Sequence, residues 1–365
     1  MTHTPEIDVL LPVYNAGATL NATLASIAAQ DFGDFRVIAI DDGSTDKSKA
    51  ILAHWAASDS RFIVISQSNT GIVAALNRGL EVATAPLIAR MDADDICYRD
   101  RFRVQRDYLL ANADVVALAG RVDHIDECGD PIPGVPQPGD PSGADPDRIP
   151  ACEPYLIHPF LMARRDAVVA AGGYRHFPYA EDTDLFWRLR VAGRLVNLDQ
   201  SLGEYRLHPN SLSGRSIVNG RIMAVGSQLS AVAARQQADG RAAGDYSRSL
   251  VPVLKQAQSL VAMIDMVAER VEAERRHWFR LAVGIKLLEL ARYRPYELES
   301  DDCRFIREQL DHTGAMQLSR TNRTEIRWYL TETAARLLRQ NRFRDAATLT
   351  PAALWPLVIA KALLR

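Results

Sequence analysis

Three carboxylates crowd one short turn. In Ile88-Ala89-Arg90-Met91-Asp92-Ala93-Asp94-Asp95-Ile96, the residues Asp92, Asp94 and Asp95 follow directly on the apolar run Pro86 to Ala89. Like charges so close repel one another and raise their own pKa values unless a cation lies between them. A hard divalent ion such as Mg²⁺ or Mn²⁺, held by one or two carboxylates with sites left for phosphate oxygens, suits such a turn. The competing reading is a solvated acidic loop. Position favours a site, because the turn ends a predicted strand, which is where open α/β sheets bind ligands. The chemistry expected is metal and diphosphate binding. A second acidic group, Glu181-Asp182-Thr183-Asp184, opens an amphipathic helix carrying Leu185, Phe186 and Leu189. Carboxylates in a first helical turn are favoured by the helix dipole, so capping is the alternative role here.

The elements that must position these groups follow from hydrophobic patterning. Ile7 to Val13 is an almost continuous apolar run that stops at Pro12-Val13-Tyr14-Asn15-Ala16-Gly17 and is followed by a helical pattern through Leu20, Leu24 and Ile27. That reads as a buried strand, a turn and a helix. The unit repeats with Arg36 to Ile40, the turn Asp41-Asp42-Gly43-Ser44-Thr45-Asp46 and a helix from about Lys47 to Ala57, then with Phe62 to Ile65, Gln67-Ser68-Asn69-Thr70-Gly71 and a helix to Val82. Pro86 to Met91 supplies a fourth strand and Val115 to Leu118 a fifth. Alternating strands and helices imply right-handed crossovers and a mainly parallel sheet flanked by helices, with binding loops along one edge.

Between Gly129 and Pro154 the chain is rich in Pro, Gly and Asp, which predicts a long surface excursion, either a mobile flap or an acceptor-side loop. His158 to Arg165 predicts a strand and the stretch from Asp166 a short helix, broken by Gly172-Gly173-Tyr174. After about Ser213 the composition shifts to Ala, Leu, Arg and Glu with no strand signal, so a boundary is placed there: residues 1–213 form an α/β domain and 214–365 an all-helical one. Within the latter, Glu332 to Ala347 reads as two short helices packed as a hairpin. The apolar stretch Pro351 to Arg365, with its few basic residues, has two open fates, resting on a membrane surface or packing on the hairpin.

Composition narrows the class. Forty-five acidic against 43 basic side chains give no global pull toward nucleic acid. The N-terminal segment lacks a signal-peptide pattern, and no apolar run reaches the roughly 18 residues of a membrane span. Cys97, Cys128, Cys152 and Cys303 show no paired spacing, so neither a zinc site nor a disulfide framework is expected. These features predict a cytoplasmic protein, with peripheral contact on the inner face of the membrane left to the C-terminal helices.

From Ile7 to about Ser213 the chain resembles the family 2 glycosyltransferases, which have the GT-A fold. The resemblance is carried by Pro12-Val13-Tyr14-Asn15, Ile40-Asp41-Asp42-Gly43-Ser44-Thr45-Asp46, Asn69-Thr70-Gly71 with Ala75-Leu76-Asn77-Arg78-Gly79, Ala89-Arg90-Met91-Asp92-Ala93-Asp94-Asp95, His158-Pro159, Glu181-Asp182-Thr183-Asp184 and Tyr205-Arg206-Leu207-His208-Pro209-Asn210-Ser211-Leu212-Ser213. Each motif alone is weak; their number, order and spacing carry the match. The form of the acidic turn, with Arg90 before it, resembles a bacterial subgroup that builds surface polysaccharides.

The resemblance implies transfer of a sugar from a nucleotide-sugar donor, usually a UDP-sugar, to a hydroxyl of a saccharide or lipid-linked acceptor, with inversion at the anomeric carbon. It implies that Pro12, Tyr14, Asn15, Asp41, Asp42, Asn77, Arg90 and Asp92 line the nucleotide and donor, with Tyr14 stacking on the base, Asp41 meeting base or ribose, and Asp92 facing ribose or donor sugar. Asp94 would bind the metal that bridges the diphosphate, and His208 would make a second metal or diphosphate contact. The metal, Mn²⁺ or Mg²⁺, offsets charge growing on the departing UDP. An attacking hydroxyl needs a carboxylate to accept its proton. Asp182 matches the family's base, with Glu181 orienting the acceptor and Asp184 starting the helix. The chain departs from the common pattern at Leu76, where many members carry a basic residue before the Asn; Arg78 or Arg90 is then the cation to expect near the nucleotide. Two rival readings remain. A sugar-nucleotide pyrophosphorylase would be expected to carry a basic Gly-rich loop after its first strand, unlike Tyr14-Asn15-Ala16-Gly17-Ala18-Thr19. A silent scaffold of the same fold has no need of Asp92, Asp94, Asp182 and His208 together.

Overall fold

The computed structural model describes residues 3–207, 216–241, 246, 248–293, 296–312 and 318–364. The chain divides into two compact units, one of Met1–Gly143, Pro154–His176 and Glu181–His208, the other of Ala144–Glu153, Phe177–Ala180 and Pro209–Arg365.

The first unit is built on one mixed sheet. Its strands are β1 (Ile7–Val13), β2 (Phe35–Asp42), β3 (Phe62–Gln67), β4 (Leu87–Arg90), β5 (Ile96–Cys97), β6 (Val115–Ile125), β7 (Met162–Arg164) and β8 (Arg194–Arg206), in spatial order β3-β2-β1-β4-β7-β6-β8-β5. The pairs β1 with β2, β1 with β4, β2 with β3 and β6 with β8 are parallel, whereas β7 runs antiparallel to both β4 and β6. Helices cover both faces: α1 (Leu20–Ala28), α2 (Ser48–Ser58) and α4 (Arg101–Ala111) on one, α3 (Ile72–Val82), α5 (Arg165–Ala170) and α6 (Glu181–Ala192) on the other. Alternation along β1 explains how one strand serves two cores: Val9 and Leu11 pack toward Leu24, Ile27 and Phe102, while Leu10 packs toward Leu76 and Leu80. Each such fully buried aliphatic side chain contributes about 2 kcal/mol of transfer free energy.

The differences from the sequence pattern have local causes. The strand expected at His158 to Arg165 is interrupted: His158–Phe160 forms a 3₁₀ turn and only Met162–Arg164 pairs, since Pro159 has no N–H for a ladder. The fifth strand runs on to Ile125. The expected surface excursion between Gly129 and Pro154 is not all surface. Ala144, Ile149, Pro150 and Ala151 are buried within the helical unit, where Ala151 N donates to Gln228 Oε1 at 3.0 Å and Glu153 pairs with Lys286 at 3.1 Å.

The second unit contains α7 (Ile217–Ala238), α8 (Leu250–Gln256), α9 (Leu260–Val267), α10 (Arg276–Tyr293), α11 (Ser300–Asp311), α12 (Arg320–Arg339), α13 (Phe343–Leu349) and α14 (Trp355–Leu363). A Cβ at position 226 would stand 1.8 Å from Pro178 O, so only glycine lets α7 pass that segment. The first arm of the predicted hairpin is not short: α12 is 20 residues long and ends in a turn where Asn341 takes φ 61°, before α13. No single described helix is long and apolar enough to cross a membrane.

Candidate active site

The loops after β1 and β2 lace together at one edge of the sheet. Asn15, at φ 51°, accepts from Thr45 N at 2.8 Å through Oδ1 and donates its own N–H to Ser44 Oγ at 3.1 Å. Ala16 N donates to Ser48 Oγ at 2.9 Å and Gly17 N to Asp46 Oδ2 at 2.8 Å. Asp41 is buried and its Oδ1 accepts from Ser44 N at 3.0 Å. Asp42 accepts from Gln67 Nε2 and from the backbone N–H groups of Thr70 and Gly71, each at 2.8 Å. Burial alone would raise its carboxyl; these hydrogen bonds outweigh that and hold it below its ordinary value. Gly43, at φ 78°, lies so close to Asn69 that a Cβ would sit 2.8 Å from its N. Tyr14 leaves the strand end 53% exposed, and Pro12 lies half-buried in register with Ile40.

The acidic turn lies between β4 and β5. One ligand oxygen from each of Asp92, Asp94 and Asp95 falls within 4.8 Å of the others. Arg206, at the end of β8, fastens the turn: its N–H donates to Asp95 Oδ1 at 2.8 Å, its Nε to Asp94 O at 2.9 Å and its Nη1 to Asp126 O at 2.8 Å. Asp95 is fully buried, and its Oδ2 has no hydrogen-bond partner among the described residues. Burial, with the charges of Asp92 and Asp94 adding, pushes its carboxyl well above the ordinary range. Buried Arg90 reaches Asp92 Oδ2 at 2.6 Å through Nη1. Three carboxylates offering hard oxygen donors, with one oxygen of buried Asp95 left without a hydrogen bond, fit a divalent cation.

The second carboxylate group opens α6. Thr183 donates to Asp182 Oδ1 from its N–H at 2.7 Å and from its hydroxyl at 3.3 Å. Glu181 is half-buried; burial first, then the charge of Asp182, pushes its carboxyl up to about 8, and it also feels Arg90 and Asp92. Glu181 therefore shares an electrostatic environment with the acidic turn. Asp184 has a different role: it is buried and clamped by Arg188, with Nη2 at 2.6 Å and Nε at 3.0 Å, and by Arg175.

The amide of Asn77 is committed to the backbone of Tyr174, accepting from its N–H at 2.9 Å and donating to its C=O at 2.8 Å. The Tyr174 hydroxyl lies 2.9 Å from His158 Nε2, and both side chains are buried. Burial and then the Arg90 charge hold the His158 imidazole well below its ordinary value, so the ring is neutral. His208 lies outside the described residues. Two contributors carry no role in the sequence reading: Arg206 as a clamp, and the pairing of His158 with Tyr174. Arg206 lies within the Tyr205 to Ser213 motif, the one local signal that marks it.

A sheet of this order, with an acidic turn at one strand end and a carboxylate pair opening a helix, defines a glycosyltransferase of the GT-A type. The model of glycosyl transferase family 2 matches residues 8–169. The amylovoran biosynthesis glycosyltransferase AmsE of Erwinia amylovora is 32% identical over 218 residues, covering 58% of this chain and 78% of that protein. The putative glycosyltransferase EpsE of Bacillus subtilis is 29% identical, covering 59% of this chain and 78% of its own. The chain belongs to glycosyl transferase family 2. In fold it is similar to the mannosyltransferase PcManGT of Pyrobaculum calidifontis, solved in complex with GDP-Man and Mn²⁺, with a TM-score of 0.53 at 17% identity over 99% of this chain and 88% of that one.

Proposed function

We propose that the protein transfers a hexosyl or N-acetylhexosaminyl group from a UDP-sugar to a hydroxyl of a saccharide or lipid-linked saccharide acceptor, with inversion, in the assembly of a surface polysaccharide. The observation that carries this reading is the cluster of Asp92, Asp94 and Asp95, which can bring one donor oxygen each to within 4.8 Å of the others. Asp94 and Asp95 would hold a Mn²⁺ or Mg²⁺ ion together with Asp92. When bound, that ion neutralises charge developing on the diphosphate.

Tyr14 offers its exposed ring to the nucleobase, and the scaffold of Asn15, Asp41 and Asp42 sets the shape of the pocket beneath it. Asp182 accepts the proton of the acceptor hydroxyl as its oxygen forms a bond to the anomeric carbon, and the bond from that carbon to the diphosphate oxygen breaks, releasing UDP. Glu181, protonated at neutral pH, adds no second negative charge beside the base and can donate a hydrogen bond to the acceptor. Arg90 balances part of the Asp92 charge, so that the three carboxylates together do not repel the anionic donor.

Isothermal titration of UDP with Mn²⁺, with EDTA and in Asp94→Ala tests the donor site. Metal-dependent binding that the variant loses is the expected result; binding indifferent to EDTA and to the variant refutes it. GDP run alongside decides the base, given that the mannosyltransferase of similar fold was solved with GDP-Man. Asp182→Asn should release no UDP in the presence of acceptor yet bind UDP as the unaltered protein does. Full turnover in that variant excludes Asp182 as the base.

A further inference from the structure

The last helices carry a surface that no step of the transfer uses. α14 packs on α12 through one side: Val358 is buried, and Lys361 Nζ pairs with Glu332 at 2.6 Å while lying over the Trp328 ring. At 100° per residue, Pro356, Ile359, Ala360 and Leu363 stand on the opposite face. All four are exposed, Leu363 by 81%, so α14 turns an apolar face away from its own unit. Phe343, which opens α13, is 59% exposed. The segments Phe343–Leu349 and Ala352–Leu363 together have the apolar composition of a membrane span, but they meet at 110°. So bent, they suit an interface and not a crossing.

The charge of this stretch runs against that of the chain. Residues 318–364 hold eight Arg or Lys against three Asp or Glu, whereas the whole chain is two negative. Arg320, Arg323 and Arg327 are exposed along one flank of α12, spaced to share it, and neither they nor exposed Arg344 has an acidic partner among the described residues. An exposed apolar helix face and unpaired arginines within the same run of helices call for a partner that offers both hydrocarbon and fixed anions. A nucleic acid has no use for the apolar face.

We propose that α12 to α14 dock the protein on an anionic bilayer surface. The outward face of α14 enters the boundary between headgroups and acyl chains, and the arginines of α12 and α13 meet lipid phosphates. This docking goes beyond the transfer reaction and stands or falls separately from it.

Co-sedimentation of the full chain with phosphatidylglycerol-containing vesicles, with pure phosphatidylcholine vesicles as the reference, tests the proposal. Binding to the anionic vesicles that weakens with added salt is expected. Ile359→Asp with Leu363→Asp should abolish it. Arg323→Glu with Arg327→Glu should weaken it by at least about 25-fold, taking about fivefold for each arginine lost at an anionic surface. UDP titration of the same variants reports whether they remain folded, because these positions lie outside the donor site. Equal sedimentation with both vesicle types, or none, overturns the proposal. So does a dimer in analytical ultracentrifugation that the Asp variants break, since a second copy would then cover the face. Failure of the unaltered chain to bind UDP would overturn the transfer reading and leave the vesicle result standing.

Discussion

Replacing Glu181 by Gln should stabilise the protein in alkaline solution and leave it nearly unchanged in acid. Glu181 stands half-buried in the first turn of α6, where burial and the Asp182 charge push its carboxyl from an ordinary 4.5 up to about 8. Between those values the folded chain keeps a proton that the unfolded chain has released. The folded state therefore binds more protons, and stability falls as pH rises through this window. At ~1.4 kcal/mol for each pH unit, the upper bound on the effect is about 5 kcal/mol. Partial exposure reduces the expected effect to about 2 kcal/mol. Gln has the shape of the neutral acid and never ionises, so it escapes this cost. Urea denaturation at about pH 5 and about pH 9, followed by tryptophan fluorescence with Trp187 in the same helix, should give a difference near zero in acid and ~2 kcal/mol in favour of the variant in base. A difference equal at the two pH values, or a variant less stable in base, refutes the reasoning.

Arg206→Ala removes the Nε bond to Asp94 O and the Nη1 bond to Asp126 O. At roughly 1 kcal/mol for the one side-chain bond to the metal turn, titration with Mn²⁺ and UDP should show affinity about fivefold weaker, and unchanged affinity would exclude Arg206 as the clamp. Asn77→Ala leaves the Tyr174 backbone N–H and C=O without partners; it should cost about 2 to 3 kcal/mol in urea denaturation while UDP affinity holds. A marked loss of UDP affinity with stability intact would instead make Asn77 a nucleotide contact.

What the sequence made legible and what it hid follow from the range of the interactions. Strands β1 and β2 are buried on both faces, so each reads as an apolar run that ends at a turn, and the order of the βα units can be followed residue by residue. The acidic turn is legible because its carboxylates are neighbours in the chain. β8 was missed because Arg194–Arg206 mixes Asn, Asp, Gln and Ser, and its pairing with β6 is broken by register shifts. β5 was missed because two residues carry no period. Asn77 meets Tyr174 across 97 positions, Arg206 meets Asp94 across 112, and no local pattern announces either partnership. The motif implies Asp42 as a nucleotide contact; that its oxygens also accept from Gln67, Thr70 and Gly71 no local pattern announces. The motif is visible in one dimension, and the division of labour within it is not.

That division explains why so many charges share one buried region. Asp95 and Glu181 are both displaced toward their neutral forms and His158 is held neutral, all chiefly by burial. Arg90 is the buried guanidinium that answers Asp92, and it is felt at Asp95, Glu181 and His158 as well. A core selected for stability alone would replace such a group with apolar side chains. On the proposed reading, carboxylates held this close and fastened through Arg206 repel one another when alone and are relieved when a divalent ion with its diphosphate binds. On that reading, the free energy withheld from folding becomes available for binding the charged leaving group.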